Sequence, residues 1–142
     1  VREHLPLVLR TPRRTILDKL TATADRAILE FRDSETPTVN ESDWVRGQAA
    51  LAKALELAPS DREIRAKLLI CEGHIARIRG TSRYSGKLLN ESRVKFDQAR
   101  ELMPRSPDPL LGLARLYTYA LHDIQRAEDS LKEAAKRGHP FG

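Results

Sequence analysis

The sequence predicts an all-α fold, an α-solenoid of about three antiparallel helix pairs with six helices in all. Three observations predict it. Aromatic residues make up only 5% of the chain against 32% charged, and Ala and Leu supply much of the apolar content, a balance suited to packed helices rather than a β-sandwich. Apolar residues recur at spacings of three and four along most of the 142 residues. Finally, Lys53-Ala54-Leu55-Glu56-Leu57-Ala58-Pro59 and Gln98-Ala99-Arg100-Glu101-Leu102-Met103-Pro104 align on prolines 45 residues apart, each followed by a helix start. A unit of that length is a helix pair with its loop, and neighbouring pairs must stack to bury their apolar stripes.

Residues 1–11 mix apolar and basic side chains around Pro6 and read as an extended lead-in to one helical domain, residues 12–139. Thr11-Pro12 opens the first helix as cap and first-turn proline. Ile16, Leu17, Leu20, Ala24, Ala27, Ile28 and Phe31 form its stripe to about Arg32, and Asp33 to Val39, with Pro37, breaks it. The second helix begins near Asn40 to Ser42, carries Trp44, Leu51, Ala54, Leu55 and Leu57, and stops before Pro59. Ser60 with Glu63 reads as a capping box for a third, with Ile64, Leu68, Cys71, Ile75 and Ile78 inward and Gly80 as its stop.

Gly80 to Lys87 reads as a flexible loop, followed by a fourth helix from about Leu88 to Leu102. In the fifth, Ser106 caps, Pro107 occupies the first turn, and Leu110, Leu113, Ala114 and Tyr117 share one face, the small Ala114 admitting a neighbouring helix. Asp123 caps a sixth, with Ala127, Leu131, Ala134 and Ala135 inward, and Gly138 ends it. The repeating units run over about 14–59, 60–104 and 105–139.

The pattern resembles the tetratricopeptide repeat, a helix–turn–helix unit of about 34 residues. Leu110, Leu113, Ala114 and Tyr117 match that family's large–large–small–aromatic positions in its first helix. Gly47, Leu51, Ala54 and Pro59 match the second-helix positions, as do Ser92, Phe96, Ala99 and Pro104. The first two units depart from it by about ten extra residues between their helices, the third by one residue before Ala127. Leu69 and Glu72 stand where a small residue and an aromatic are usual. The resemblance implies a concave groove lined by first helices that accepts a peptide or a partner's helix. Its positions correspond to Asp108, Leu111, Arg115, Thr118 and Tyr119 in the third unit. In the second they are Glu63, Ala66, Ile70 and His74, and in the first Thr15, Asp18, Ala22 and Asp25. The Lys and Asn with which some members clamp a terminal carboxylate are replaced here by Asp18, Ala22, Ala66, Ile70, Leu111 and Arg115. Such stretches also resemble accessory segments of some bacterial serine/threonine kinases, although no kinase motif is present.

The net charge of +5 requires that a polyanionic partner be considered. Arg77, Arg79, Arg83, Lys87, Arg93 and Lys95 against Glu91 give the span 77–95 that whole excess, with Tyr84 at its centre. Such a span suits phosphates or an acidic protein, or simply a solvated loop. Gly80 to Lys87 lacks the spacing and the Ser or Thr of a phosphate-binding loop. His4, His74, His122 and His139 show no metal-ligand spacing, so no metal or other cofactor is expected. Asn-Glu-Ser occurs at Asn40 and Asn90, both read as helix caps rather than glycosylation sites. Trp44 and the single cysteine, Cys71, fall on inward stripes and read as core.

No apolar run reaches membrane-spanning length. The chain begins on Val1 rather than Met and is expected to be a fragment of a larger protein. The function expected is a non-enzymatic protein-interaction module or scaffold, with Arg115 supplying charge and Tyr119 and Leu111 supplying contact area. The alternatives are polyanion binding by the 77–95 span and a structural role, with exposed repeat ends stacking on a neighbour or a second copy.

Overall fold

A computed structural model describes residues 6–34 and 39–138, with side chains from residue 12 onward. Among these residues every regular element is helical: α1 (Pro6–Asp33), α2 (Glu41–Leu57), α3 (Arg62–Ser82), α4 (Gly86–Leu102), α5 (Asp108–Arg115) and α6 (Ile124–Lys136). α5 continues without a break into one π-helical turn, Leu116–Ala120. Each helix packs on its successor, so the six form three consecutive hairpins, and α3 also touches α1 and α5. α3 is the centre of the molecule.

The second helices of the first two hairpins repeat each other in detail. Gly47, Leu51 and Ala54 are buried in α2 as Ser92, Phe96 and Ala99 are in α4. Ala58 and Met103 close these helices in nearly the same conformation (φ −139°, ψ 69° and φ −125°, ψ 71°), donating to the carbonyls of Ala54 and Ala99. The turn that follows is also shared: Asp61 N–H donates to Ala58 O and Ser106 N–H to Met103 O, both at 3.1 Å. Asp61 caps α3, accepting from Ile64 N–H, whereas Pro107 rather than the expected Ser106 is the N-cap of α5, and Ser106, one residue earlier, accepts from Asp108 N–H. The cap of α3 is therefore Asp61 rather than Ser60, because the turn geometry fixes which residue arrives at the helix mouth.

Three further expectations are corrected. The lead-in expected to be extended is helical from Pro6, with Pro12 inside α1; residues 1–5 lie outside the described residues. A proline there removes one backbone hydrogen bond from a 28-residue helix without ending it. Gly80 does not stop α3 either. A Cβ at that position would lie 2.8 Å from Leu89 Cδ2 and 3.0 Å from its backbone nitrogen, so the glycine serves the close crossing of α3 and α4. The loop expected over 80–87 shrinks to Arg83–Tyr84–Ser85, and Ser85 caps α4. Asn90 consequently lies within α4, where its side chain accepts from Arg93, while Asn40 forms the capping box of α2.

The core runs along the inner stripes, with Trp44, Leu51, Phe96, Leu110, Leu113 and Leu116 essentially without exposed surface. Burying each such side chain contributes about 1.5–3 kcal/mol. Across the hairpins, Arg32 makes a two-pronged ion pair with Asp108 (2.8 and 2.6 Å), tying the end of α1 to the start of α5. No helix among the described residues is long and apolar enough to cross a membrane.

Candidate functional site

The site lies where α3 and α5 run side by side. His74, midway along α3, is 1% exposed. Its ring stacks on Trp44 (4.0 Å, 14° between planes), and Phe31 and Phe96 close on it at 4.3 and 4.9 Å. Burial foremost, then the charges of Arg77 and Arg115, hold its pKa well below the usual histidine range. The imidazole is therefore neutral at pH 7, and its Nδ1 accepts from Arg77 Nε at 3.3 Å. Trp44 Nε1 is buried beside it without a hydrogen-bond partner among the described residues.

Arg77 stands one turn beyond His74, with its guanidinium carbon 5.9 Å from the Phe31 ring centre. Burial, followed by the charge of Arg115, lowers its pKa to about 10, so it remains a cation at neutral pH. Arg115, on α5, lies 5.0 Å above the ring of Tyr119, which is 65% exposed. Arg32, Arg79, Arg93, Arg100, Arg126 and Arg137 all hold carboxylates. Arg77 and Arg115 have no carboxylate partner among the described residues; the acceptor of Arg77 is a neutral imidazole. Two like charges held near one another are a standing demand for an anion.

The π turn sets the presentation of Tyr119. Leu121 N–H donates to Leu116 O, five residues back, and Thr118 Oγ1 donates to Ala114 O at 2.7 Å. The wider turn accommodates an extra residue, so Leu116 and Tyr117 stay inward while Tyr119 faces solvent.

The expected groove residues thus divide. Arg115 ends α5 and lies over Tyr119 of the π turn, while half-buried Thr118 in the same turn bonds back to Ala114 O. Asp108 is 5% exposed and engaged by Arg32, Leu111 belongs to the core, and His74 is enclosed by aromatics, so none of these three is presented to a partner. Ala66 and Ile70 are buried, while Glu63 and Asp25 both engage Lys67 (3.2 and 2.7 Å). Thr15, Asp18 and Ala22 are exposed on α1. Arg77 belongs with the basic span in the sequence and with Arg115 in space. One signal for this was its position three residues after His74, continuing the same helical face; the cover supplied by Phe31 had none.

The rest of the basic span is largely neutralised: Arg79 holds Glu41, Arg93 holds Asp97, and Lys95 holds Glu72 at 3.6 Å. Arg83 and Lys87 remain exposed beside Tyr84, which projects at the α3–α4 turn with a positive φ of 52° and 95% of its surface exposed. Cys71 is buried, and desolvation first, then Glu72 and Asp25, pushes its thiol up to about 12. No group of three or more His, Cys, Asp or Glu among the described residues is placed to hold a metal ion. No family model matches the chain, and neither the curated proteins nor the solved structures contain a match to it.

Proposed function

We propose that this chain is a non-enzymatic protein-interaction module whose contact point is the α3–α5 face. Arg77 and Arg115 take an acidic group of a peptide or partner helix, and Tyr119 supports the adjoining aliphatic chain. The observation that carries this reading is the pair of arginines without carboxylate partners beside an exposed tyrosine, in a molecule whose other interior-facing arginines are neutralised. Charge-assisted hydrogen bonds of this kind contribute about 1.5–3 kcal/mol each. The resemblance of the helix pairs to tetratricopeptide repeats supports the same reading, since there too the first helices of successive units form the contact surface.

The test is affinity capture from source lysate, treated with nuclease, comparing the wild-type chain with Arg115→Ala/Tyr119→Ala. Discrete proteins retained by the wild type and lost by the double variant, at unchanged helical content, are the expected result. Equal retention by both would move the contact elsewhere. Polyanion binding is the second reading, favoured by the Arg83–Tyr84–Lys87 turn, where an aromatic at positive φ lies open to solvent. Its mark is nuclease-sensitive capture that declines steeply with salt.

A further inference from the structure

A second site lies apart from the α3–α5 face. A cleft of about 620 Å³ opens between the N-terminus of α3 and the connection from α4 to α5. Its apolar lining is Leu102, Met103, Pro104 and Pro107. Among the described residues its lining also carries Arg32, Arg62, Arg105 and Arg137 against the one carboxylate of Glu63.

These arginines have two different roles. Arg32 is fixed on Asp108, and Arg137 pairs with Glu133 while donating to the carbonyls of Met103 (3.2 Å) and Ser106 (3.1 Å). Those bonds fasten the α4–α5 connection, so the cleft is formed before anything enters it, which lowers the ordering cost of binding. Arg62 and Arg105 are exposed and have no ion pair among the described residues, and Glu63 is already engaged by Lys67. The cleft therefore presents two cations without an ion pair among the described residues beside an apolar lining.

We infer that this cleft binds an acidic peptide segment, with carboxylates on Arg62 and Arg105 and an apolar side chain between them on Met103 and Pro104. Three features select that occupant. The open cleft, about 620 Å³, has room for several side chains rather than one small anion. The apolar lining matches an aliphatic side chain, which a peptide carries between its carboxylates and a free phosphate does not. No aromatic residue among the described residues lines the cleft, so among these a nucleobase has no ring to stack on.

The experiment is fluorescence anisotropy with a labelled peptide carrying Glu-Glu-Leu-Glu-Glu, added to the full chain at low salt. The wild type is expected to bind it and to ignore the same peptide with Gln for Glu. Arg62→Glu/Arg105→Glu should weaken binding by about tenfold or more, through loss of two charge-assisted contacts and added repulsion. Arg115→Ala/Tyr119→Ala should change it less than about twofold, because sites that share no contacts act independently. Both pairs of substitutions lie on the surface, and a thermal melt checks that each variant is folded. No binding by the wild type overturns the inference, as does full retention by Arg62→Glu/Arg105→Glu. So does displacement by inorganic phosphate or oligothymidine at concentrations that bind as well as the peptide. Loss in the Arg115/Tyr119 variant alone would assign the peptide to the α3–α5 face, which overturns this site while leaving the proposed function standing.

Discussion

Gly112→Ala gives the sharpest test of the packing, because two physical effects predict opposite signs. Gly112 lies inside α5, where replacing glycine by alanine raises helix stability by about 1 kcal/mol if nothing else changes. The new methyl, however, would lie 2.6 Å from Phe96 Cζ and nearer still to Cε1. The ring has nowhere to retreat. Phe96 has no exposed surface, and on its other side it rests on the backbone of Gly73, where a Cβ would lie 2.7 Å from the same ring carbon. The edge contact with His74 at 4.9 Å limits rotation as well.

Relieving the overlap requires a shift of about 1 Å in a close-packed core, at the upper end of the roughly 1–3 kcal/mol that overpacking costs. Subtracting the propensity gain leaves a net loss of about 2 kcal/mol. For a chain of 142 residues that lowers Tm by roughly 7 °C. Thermal and urea melts of Gly112→Ala, Phe96→Leu and the double variant measure it. The double variant should be more stable than the sum of the singles by about 1 kcal/mol, because the smaller leucine makes room for the methyl. A Gly112→Ala chain as stable as the wild type, or strictly additive singles, would refute the wedge between two glycines.

Three other outcomes follow from buried groups. Asp108→Asn removes the charge of a buried carboxylate that accepts two bonds from the partly exposed Arg32 and should destabilise by about 1–3 kcal/mol in urea melts, while exposed Asp18→Asn should do almost nothing. Because the folded chain holds the pKa of His74 far below the unfolded value of about 6.5, the unfolded state takes up a proton first as pH falls. Stability is thus unaffected by this group above that value and declines below it by about 1.4 kcal/mol per pH unit. Melts between pH 7 and 5 should show this extra slope in the wild type and not in His74→Gln. Cys71, buried with its thiol pushed up to about 12, should resist iodoacetamide at pH 8 in the native chain and react once unfolded, as mass spectrometry would register.

What the sequence made legible was local. Stripe spacing located all six helices, and Asn40, Asp123 and Gly138 act at helix ends as expected, because capping depends on residues only a few positions apart. The 45-residue repeat was legible too, down to matching burial at Leu51 and Phe96. The misreadings share one cause: the same residue can serve a local or a tertiary purpose. Gly80 reads as a helix stop and is used to admit Leu89; Pro12 reads as a start and lies within a helix stabilised by its packing on α2. His74 falls on an expected groove position, yet Phe31 from α1 covers it from a distance of more than forty residues in sequence.

That covering also determines where the charges fall. With His74 sealed and neutral, it offers Arg77 a hydrogen-bond acceptor but no counter-charge, and Arg115 approaches from α5 with none among the described residues. A carboxylate in place of His74 would neutralise the pair internally and remove the reason for an external anion. Introducing one tests the argument directly. In His74→Glu the new side chain should fold against Arg77, and the partner proteins captured by the wild type should be lost even with Arg115 and Tyr119 intact. Capture that survives in a folded His74→Glu chain would mean that the uncompensated arginines do not draw the partner, and that Tyr119 and its neighbours recognise it by shape alone.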